Sequence, residues 1–172
     1  MQKYKSFETD RLILKSTELE DSDFLIELFN TPKWIQYIGD RNIKTIPEAE
    51  KYIRDRVLPQ QERLGYSNYI IINKENNVKI GICGLYDREG IDGIDIGFAL
   101  LPEYEGRGYV YEASSKLMVV AKNTFGLNEL SAITTKENID SQKLLTKLGF
   151  RLAGFIFLPE DNEELMLFQN NL

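Results

Sequence analysis

The 172-residue sequence contains no histidine, and this absence excludes several kinds of catalytic and metal site. Ser-His-Asp and Cys-His triads, histidine-ligated zinc and haem sites, and an imidazole general base all require that side chain. Cysteine occurs once, at Cys83, so an internal disulfide and a cysteine-rich metal site are excluded as well. We therefore expect no bound metal, and the single thiol fits a reducing, cytoplasmic compartment.

Long apolar runs, flexible linkers and excess positive charge are also absent. No segment approaches the roughly 18 consecutive apolar residues of a membrane span, and Met1–Ser6 lacks the apolar run of a signal peptide, so we expect no membrane partner. No Pro/Gly/Ser-rich tract or repeat divides the chain, which predicts one domain over residues 1–172. The net charge of −6 disfavours nonspecific attraction to nucleic acid, and we expect no direct nucleic-acid partner.

Apolar periodicity predicts strands interspersed with helices. The predicted strands are residues 11–15, 69–73, 78–85, 94–101, 130–135, 151–158 and 164–168. The predicted helices are residues 20–30, which Pro32 ends; a helix capped by Thr45 that ends between residues 59 and 65; residues 106–125; and a short helix between Asn138 and Gly149. This order predicts an α/β protein with a mixed sheet and helices on its faces.

The most informative segment is the turn with Gly106 and Gly108, which lies between a predicted strand and a predicted helix. Glycine permits positive φ and a close approach of the backbone, and the first N–H groups of a helix point at an anion. The segment therefore favours phosphate binding, although an ordinary strand-to-helix turn fits the same residues. Rossmann and P-loop signatures are excluded, because Tyr111 replaces the third glycine and Tyr109-Val110 replaces Lys-Ser/Thr.

Three segments together resemble the GNAT N-acetyltransferase superfamily. Pro102–Tyr109, followed by Glu112-Ala113, is similar to the family's acetyl-coenzyme A loop, Gln/Arg-x-x-Gly-x-Gly/Ala. Asn138–Ser141 with Lys147–Phe150 resembles its Asn-x-x-Ser…Lys-x-Gly-Phe segment. Thr9–Leu14 resembles the opening of the ribosomal-protein N-terminal acetyltransferase (RimJ/RimL-like) branch. The resemblance implies the GNAT fold, with a mostly antiparallel sheet of about seven strands and about four flanking helices.

The resemblance implies acetyl-coenzyme A as the cosubstrate. The main chain of Phe98 and Leu100 would bind the pantetheine arm. Asn138 would add a further contact, although Asn138 and Ser141 also fit the N-cap and an N3 polar residue of the helix. The residues that would cradle the pyrophosphate are Glu105, Gly106, Arg107, Gly108 and Tyr109. Arg107 is either a charge-assisted phosphate contact or an ordinary solvent-facing arginine. Glu103 departs from the pattern, because the family usually has Gln or Arg there, whereas backbone contacts do not depend on that side chain.

The reaction implied is direct attack of a primary amine on the thioester, without an acyl-enzyme. Asp95 is the first candidate for the general base, with a tyrosine or a relayed water as alternatives. Strand alternation turns Asp95 and Phe98 to opposite faces unless a β-bulge intervenes. Ser141 is the candidate acid for the leaving thiolate, in competition with a tyrosine. Cys83 lies in an apolar strand, which favours an inert buried thiol over an acetyl-cysteine.

For the acceptor, the resemblance points to residues 34–40, the segment that lines the acceptor pocket in relatives. Trp34 and Tyr37 are the candidate binding residues, and aromatic walls beside Asp40 suit an ammonium group. A protein N-terminus is the first candidate acceptor, and a polyamine, amino sugar or amino-acid-like amine is the second. A coenzyme A thioester sensor or assembly module without turnover is the alternative function. The chain would act as a monomer or a homodimer.

Overall fold

A computed structural model describes residues 6–172, and eight strands within that range form one sheet. The strands are β1 (Ser6–Glu8), β2 (Leu12–Ser16), β3 (Asn68–Asn73), β4 (Val78–Tyr86), β5 (Asp95–Leu100), β6 (Glu129–Thr135), β7 (Arg151–Ile156) and β8 (Leu165–Asn171). Their spatial order is β1-β2-β3-β4-β5-β6-β8-β7. Every neighbouring pair is antiparallel except β5 and β6.

The predicted mixed, mostly antiparallel sheet is confirmed, with one strand more than expected. The additional strand is β1, whose three residues pair with the end of β2. So short a strand leaves no readable alternation in the sequence. The first five residues, part of the segment in which we expect no signal peptide, lie outside the described residues.

Six α-helices flank the sheet in the described part of the chain. They are α1 (Ser22–Phe29), α2 (Pro32–Tyr37), α3 (Ile46–Tyr52), α4 (Leu58–Leu64), α5 (Tyr109–Asn123) and α6 (Ile139–Lys147). A five-residue π-helical turn, Ile53–Val57, joins α3 to α4. These two helices therefore form one continuous helical segment, and the six α-helices form five separate segments. None of the described helices is both long and apolar enough to cross a membrane.

The first predicted helix does end before Pro32, because α1 stops at Phe29, but Pro32 is also the first residue of α2, a helix that was not predicted. Proline lacks the N–H group that the first helical turn leaves unused, and its fixed φ suits that position. Thr45 caps α3 as predicted, since its side chain accepts a hydrogen bond from the Glu48 N–H. The helical segment then continues through Pro59 until Gly65 adopts a left-handed conformation.

The two faces of the sheet carry separate apolar cores. One core joins the sheet to α5 and α6, and Ile71 of β3 points into it. The other joins the sheet to α1 and α3, and the adjacent Ile70 points into that one. Successive side chains of a strand face opposite ways, so one strand serves both cores. The molecule is therefore a sheet between two helical layers.

The sheet opens between β5 and β6. These parallel strands pair at one position, Asp95 opposite Ser131, whereas β4 and β5 pair at six positions. Because the ladder ends at Asp95, the remaining length of β5 has no paired neighbour on that side. Parallel strands have their carboxyl ends at the same edge of a sheet, which is where ligands bind in open α/β sheets. The unpaired lengths of β5 and β6 lead toward α5 and α6, which follow them in the chain.

Candidate active site

The hydrogen bonds at the two ends of β5 fix which backbone groups face the opening. The Ser131 N–H donates to the Ile94 carbonyl at 2.9 Å, and the Leu101 N–H donates to the Ile80 carbonyl at 2.8 Å. Backbone groups alternate sides along a strand, so even-numbered residues face β6 and odd-numbered residues face β4. Phe98 and Leu100 therefore direct their backbone N–H and C=O groups into the opening.

The glycine loop follows β5 and leads into α5. Gly106 and Gly108 have φ of +74° and +79°, in the left-handed region that favours glycine. Gly108 is the N-cap residue of α5 and has no side chain with which to cap the helix. The first N–H groups of this 15-residue helix consequently have no acceptor within the helix. The start of α5 therefore has unpaired backbone N–H groups beside the two glycines, and anion binding by this loop stays a prediction.

The side chains of the loop point in different directions. Tyr109 is buried, and its hydroxyl accepts a hydrogen bond from Asn73 at 3.4 Å, so only its backbone faces a ligand at the loop. Arg107 is exposed, with its guanidinium 5.9 Å from the centre of the Tyr104 ring. Glu105 accepts a 2.5 Å hydrogen bond from Lys33 of α2, and Glu103 is exposed.

Asn138 and Ser141 lie across the opening from the glycine loop. The Asn138 side chain caps α6 by accepting a hydrogen bond from the Ser141 N–H at 3.2 Å. Both residues follow the carboxyl end of β6, so they share an edge of the sheet with the glycine loop. The structure thus brings the loop and the start of α6 to the two sides of one opening.

Asp95 lies at the closed end of the opening, away from the loop. Its side chain is 1% exposed, and both oxygens accept hydrogen bonds from Arg88, at 3.1 Å from Nε and 3.2 Å from Nη2. Burial raises the pKa of the Asp95 carboxyl, and the neighbouring Arg88 guanidinium opposes this shift. At about 3.3 Å per residue, Asp95 is roughly 16 Å of strand away from Leu100. The structure therefore separates Asp95 from Ser141 along the opening.

No bulge reorients Asp95, because the register between β4 and β5 is unshifted from Asp95 to Leu100. Asp95 consequently faces the side of the sheet opposite Phe98. A tyrosine covers the same side, because a Cβ atom at Gly97 would lie 2.9 Å from the Tyr86 ring. The Tyr86 hydroxyl donates to Asn68 at 2.6 Å, and burial raises its pKa well above the ordinary value, so it stays protonated.

Arg88 and Tyr86 were not predicted from the sequence as site residues. Tyr86 lies opposite Asp95 in the β4–β5 register, and Arg88 follows two residues later in the connection between the strands. The signal available in the sequence was the β4–β5 hairpin, which places Tyr86 and Arg88 near Asp95. The ion pair itself depends on how the eight-residue connection folds back, and no local pattern shows this.

The candidate acceptor residues lie on α2. Trp34 is buried and stacks on Phe29 with ring centres 4.4 Å apart, whereas Tyr37 is partly exposed. The Arg41 guanidinium lies 5.3–5.5 Å from the ring centres of Phe29, Trp34 and Tyr52. The aromatic cluster therefore already contacts a cation of its own chain. The exposed Asp40 is within 3.9 Å of Lys44 and is not part of these ring contacts.

Cys83 is fully buried in β4. Burial raises the pKa of its thiol to about 12, so the nucleophilic thiolate is scarce near neutral pH. Its sulfur lies 3.8 Å from the Ser114 hydroxyl inside the core. These surroundings agree with the inert thiol that the sequence favoured.

The family described as Acetyltransferase (GNAT) domain matches residues 11–151. The uncharacterized N-acetyltransferase p20 of Bacillus licheniformis is 31% identical over 151 residues, which cover 86% of this chain and 83% of that protein.

Solved structures share the fold at low sequence identity. Ribosomal-protein-S5-alanine acetyltransferase from Vibrio fischeri aligns with a TM-score of 0.81 and 16% identity, covering 97% of this chain and 96% of that one. The ribosomal L7/L12 α-N-protein acetyltransferase RimL, in complex with coenzyme A, aligns with a TM-score of 0.82 and 18% identity over 98% of each chain.

Proposed function

Because the chain belongs to the GNAT acetyltransferase family and is an acyltransferase, we propose that it transfers acetyl from acetyl-coenzyme A directly to the N-terminal amine of a protein. The observation that carries this proposal is the opening between β5 and β6, with the glycine loop at one side and the start of α6 at the other. We also propose a cytoplasmic location, which suits the single reduced thiol.

The residues of the opening fit acetyl-coenzyme A, which would supply a reactive thioester. Phe98 and Leu100 offer backbone groups to the amides of the pantetheine arm. The backbone of residues 105–109 would offer N–H donors to the pyrophosphate, and Asn138 would contact the arm from the opposite side. The protein's net charge of −6 opposes an anionic ligand, so local donors must provide the attraction. The positive end of the α5 dipole supplies it.

In the proposed reaction, the amine nitrogen bonds to the thioester carbonyl carbon as the carbon–sulfur bond breaks. Asp95 takes up the amine proton, and its burial strengthens it as a base. Because its side chain is 1% exposed, the proton reaches it through water in the opening rather than by direct contact. Arg88 fixes the orientation of the carboxylate. The Ser141 hydroxyl gives a proton to the departing sulfur as it takes a replacement proton from water.

The acceptor would approach from the face that carries Asp95 and Tyr86, where Trp34 and Tyr37 lie on α2. Two of the structural neighbours bear the names of ribosomal-protein acetyltransferases, which supports a protein N-terminus as the acceptor. A partly exposed aromatic such as Tyr37 gives an amine an apolar wall.

The test is acceptor-dependent release of thiol from acetyl-coenzyme A, corrected for hydrolysis. Peptides with a free N-terminus are compared with the same peptides blocked at the N-terminus, and with a polyamine and an amino sugar. We expect release with free peptides only, and a mass increase of one acetyl group on the peptide. Preference for a small amine contradicts the proposed acceptor. Saturable coenzyme A binding without release from any amine contradicts transfer and supports a binding module.

A further inference from the structure

Arg11 connects the turn between β1 and β2 to the glycine loop. Its Nε donates to Glu112 Oε2 at 2.6 Å, its backbone N–H donates to Glu112 Oε1 at 2.9 Å, and its Nη1 donates to the Arg107 carbonyl at 3.0 Å. Its guanidinium also lies 4.4 Å from the centre of the Tyr109 ring. Arg11 thus contacts the loop, the first residue of α5 and the first turn of that helix.

The ion pair between Arg11 and Glu112, which anchors this arrangement, is more ordered than an ordinary surface ion pair. Glu112 also accepts a 2.5 Å hydrogen bond from the Thr9 hydroxyl, so three donors from one turn converge on its carboxylate. The Glu112 side chain is 20% exposed. Charged hydrogen bonds that share one acceptor group restrict both partners, which an isolated exposed pair does not do. Arg11 is therefore held in place independently of the loop.

The bond to the Arg107 carbonyl sets the direction of a donor. The Arg107 carbonyl and the Gly108 N–H belong to the same peptide plane, and all described peptide bonds are trans. In a trans peptide these two groups point in opposite directions. Because Arg11 holds the carbonyl on its own side, the Gly108 N–H points away from Arg11. The loop would otherwise rotate readily at Gly106 and Gly108, since glycine has the greatest backbone freedom.

We propose that Arg11 is a positioning residue for the cosubstrate: it orients the 107–108 peptide so that the Gly108 N–H is ready to bind the pyrophosphate. This inference rests on the proposed function, because it assigns the loop to acetyl-coenzyme A. Arg11 acts by ordering the loop before binding, which lowers the entropy lost when the phosphate binds. The effect belongs to the pyrophosphate and not to the acyl group.

The experiment compares two acyl donors, acetyl-coenzyme A and acetyl-pantetheine, which lacks the pyrophosphate and the nucleotide. For Arg11→Ala we expect the KM for acetyl-coenzyme A to rise about tenfold with little change in kcat, as expected for one charged hydrogen bond. Kinetics with acetyl-pantetheine should match the wild type. Arg11→Lys should recover part of the loss, because one ammonium group cannot span Glu112 and the Arg107 carbonyl as the guanidinium does.

Arg63→Ala is the matched control, since Arg63 forms an exposed ion pair with Asp87, and it should leave both donors unaffected. An unchanged KM for acetyl-coenzyme A in Arg11→Ala overturns the inference, and so does an equal loss with both donors. If Arg11→Ala does not fold, Arg11→Lys must show the same selective change.

Calorimetry with coenzyme A separates this inference from the proposed function. If the wild type binds coenzyme A but acetylates nothing, the proposed function fails, and about tenfold weaker binding by Arg11→Ala still supports the inference. Equal binding by wild type and variant overturns it. If the wild type does not bind coenzyme A, both proposals fail.

Discussion

The glycine loop and the aromatic cluster of Phe29, Trp34 and Tyr52 are organised in different ways. At the loop, polar contacts from distant parts of the chain order a backbone whose donors face outward, as Arg11 and Lys33 show. At the cluster, rings pack on one another and contact Arg41. Under the proposed function, the loop binds the pyrophosphate of acetyl-coenzyme A through its backbone. The cluster instead buries the rings of Phe29 and Trp34, so the proposal assigns the acceptor to the partly exposed Tyr37, on the same helix as Trp34.

The largest effect we expect is on turnover, from a residue that belongs to neither region. Asp95→Asn should lower kcat roughly a hundredfold, within the range for lost general base catalysis. The affinity for coenzyme A should stay unchanged, because Asp95 lies far from the loop. In the wild type, activity falls as pH decreases through the raised pKa of Asp95, and the variant should lose this dependence. Stopped assays over a range of pH values measure both effects.

Two controls accompany Asp95→Asn. Breaking a buried ion pair costs about 3–5 kcal/mol of stability, so urea unfolding must show that the variant is folded under assay conditions. Asp55→Asn removes an exposed carboxylate paired with Lys51 and should leave kcat unchanged. A folded Asp95→Asn variant with wild-type turnover removes Asp95 from the mechanism.

Gly108→Val tests the loop side of the comparison. Valine is strained at φ of +79°, and the distorted loop should bind coenzyme A roughly tenfold more weakly, given a strain of about 1–3 kcal/mol. The KM for the acceptor should change little. Calorimetry measures the affinity. Gly126→Val is the matched control, because Gly126 has φ of +71° beyond the far end of α5, so it brings the same strain without touching the loop. Equal affinities in the two variants contradict the loop assignment.

Tyr37→Ala tests the acceptor side. The loss of an aromatic wall should raise the KM for the acceptor peptide roughly fivefold, which corresponds to a contact of about 1 kcal/mol. The KM for acetyl-coenzyme A should not change, so the result is the reverse of that for Gly108→Val. Steady-state kinetics with each substrate varied in turn give both constants. Phe157→Ala removes an exposed aromatic far along the chain and serves as the control. A larger change in the KM for acetyl-coenzyme A than in the KM for the peptide would contradict the assignment of Tyr37 to the acceptor side.

The smallest expected effect concerns the stability of the loop's anchor. Burial raises the pKa of Glu112, but the hydrogen bonds from Thr9 and Arg11 together outweigh it, so the pKa lies below its ordinary value. The folded state therefore favours the ionised form. This stability is complete above the unfolded pKa of about 4.3 and disappears as the pH falls through the folded value, and we expect a contribution of about 1 kcal/mol.

Urea unfolding of Glu112→Gln and wild type between pH 7 and pH 3 measures this contribution. The variant should be less stable at pH 7 and should lose less stability on acidification. Glu27→Gln, which changes an exposed carboxyl on α1, should follow the wild type. Identical pH curves for Glu112→Gln and wild type would show that the three donors contribute nothing to stability.

The elements with strong local signals were predicted from the sequence, and so was the family. Gly106 and Gly108 indicated the loop, Thr45 indicated the start of α3, and the order of elements indicated the mixed sheet. These features depend on backbone conformation, which nearby residues determine. Short elements escaped detection, because three residues in β1 and six in α2 carry too little periodicity.

The contacts of the site side chains were much less predictable. The pairing of Asp95 with Arg88 depends on the path of a loop, and the Arg41 contacts depend on rings from three helices. The network of Arg11 and Glu112 joins residues that are 101 positions apart. In the sequence, Thr9–Leu14 was notable only as part of a resemblance. The contacts of Thr9 and Arg11 with Glu112 and the glycine loop are visible only in the folded structure.

The single paired position between β5 and β6 means that the described sheet consists of two hydrogen-bonded blocks, of five strands and three strands. A ligand that hydrogen-bonds along the opening would connect the two blocks, in the way that an extra strand between β5 and β6 would. Binding would then stabilise the molecule across its weakest seam, by an amount that rises with ligand concentration. Amide exchange in β5 and β6 should accordingly slow together when coenzyme A binds, although these strands belong to different blocks.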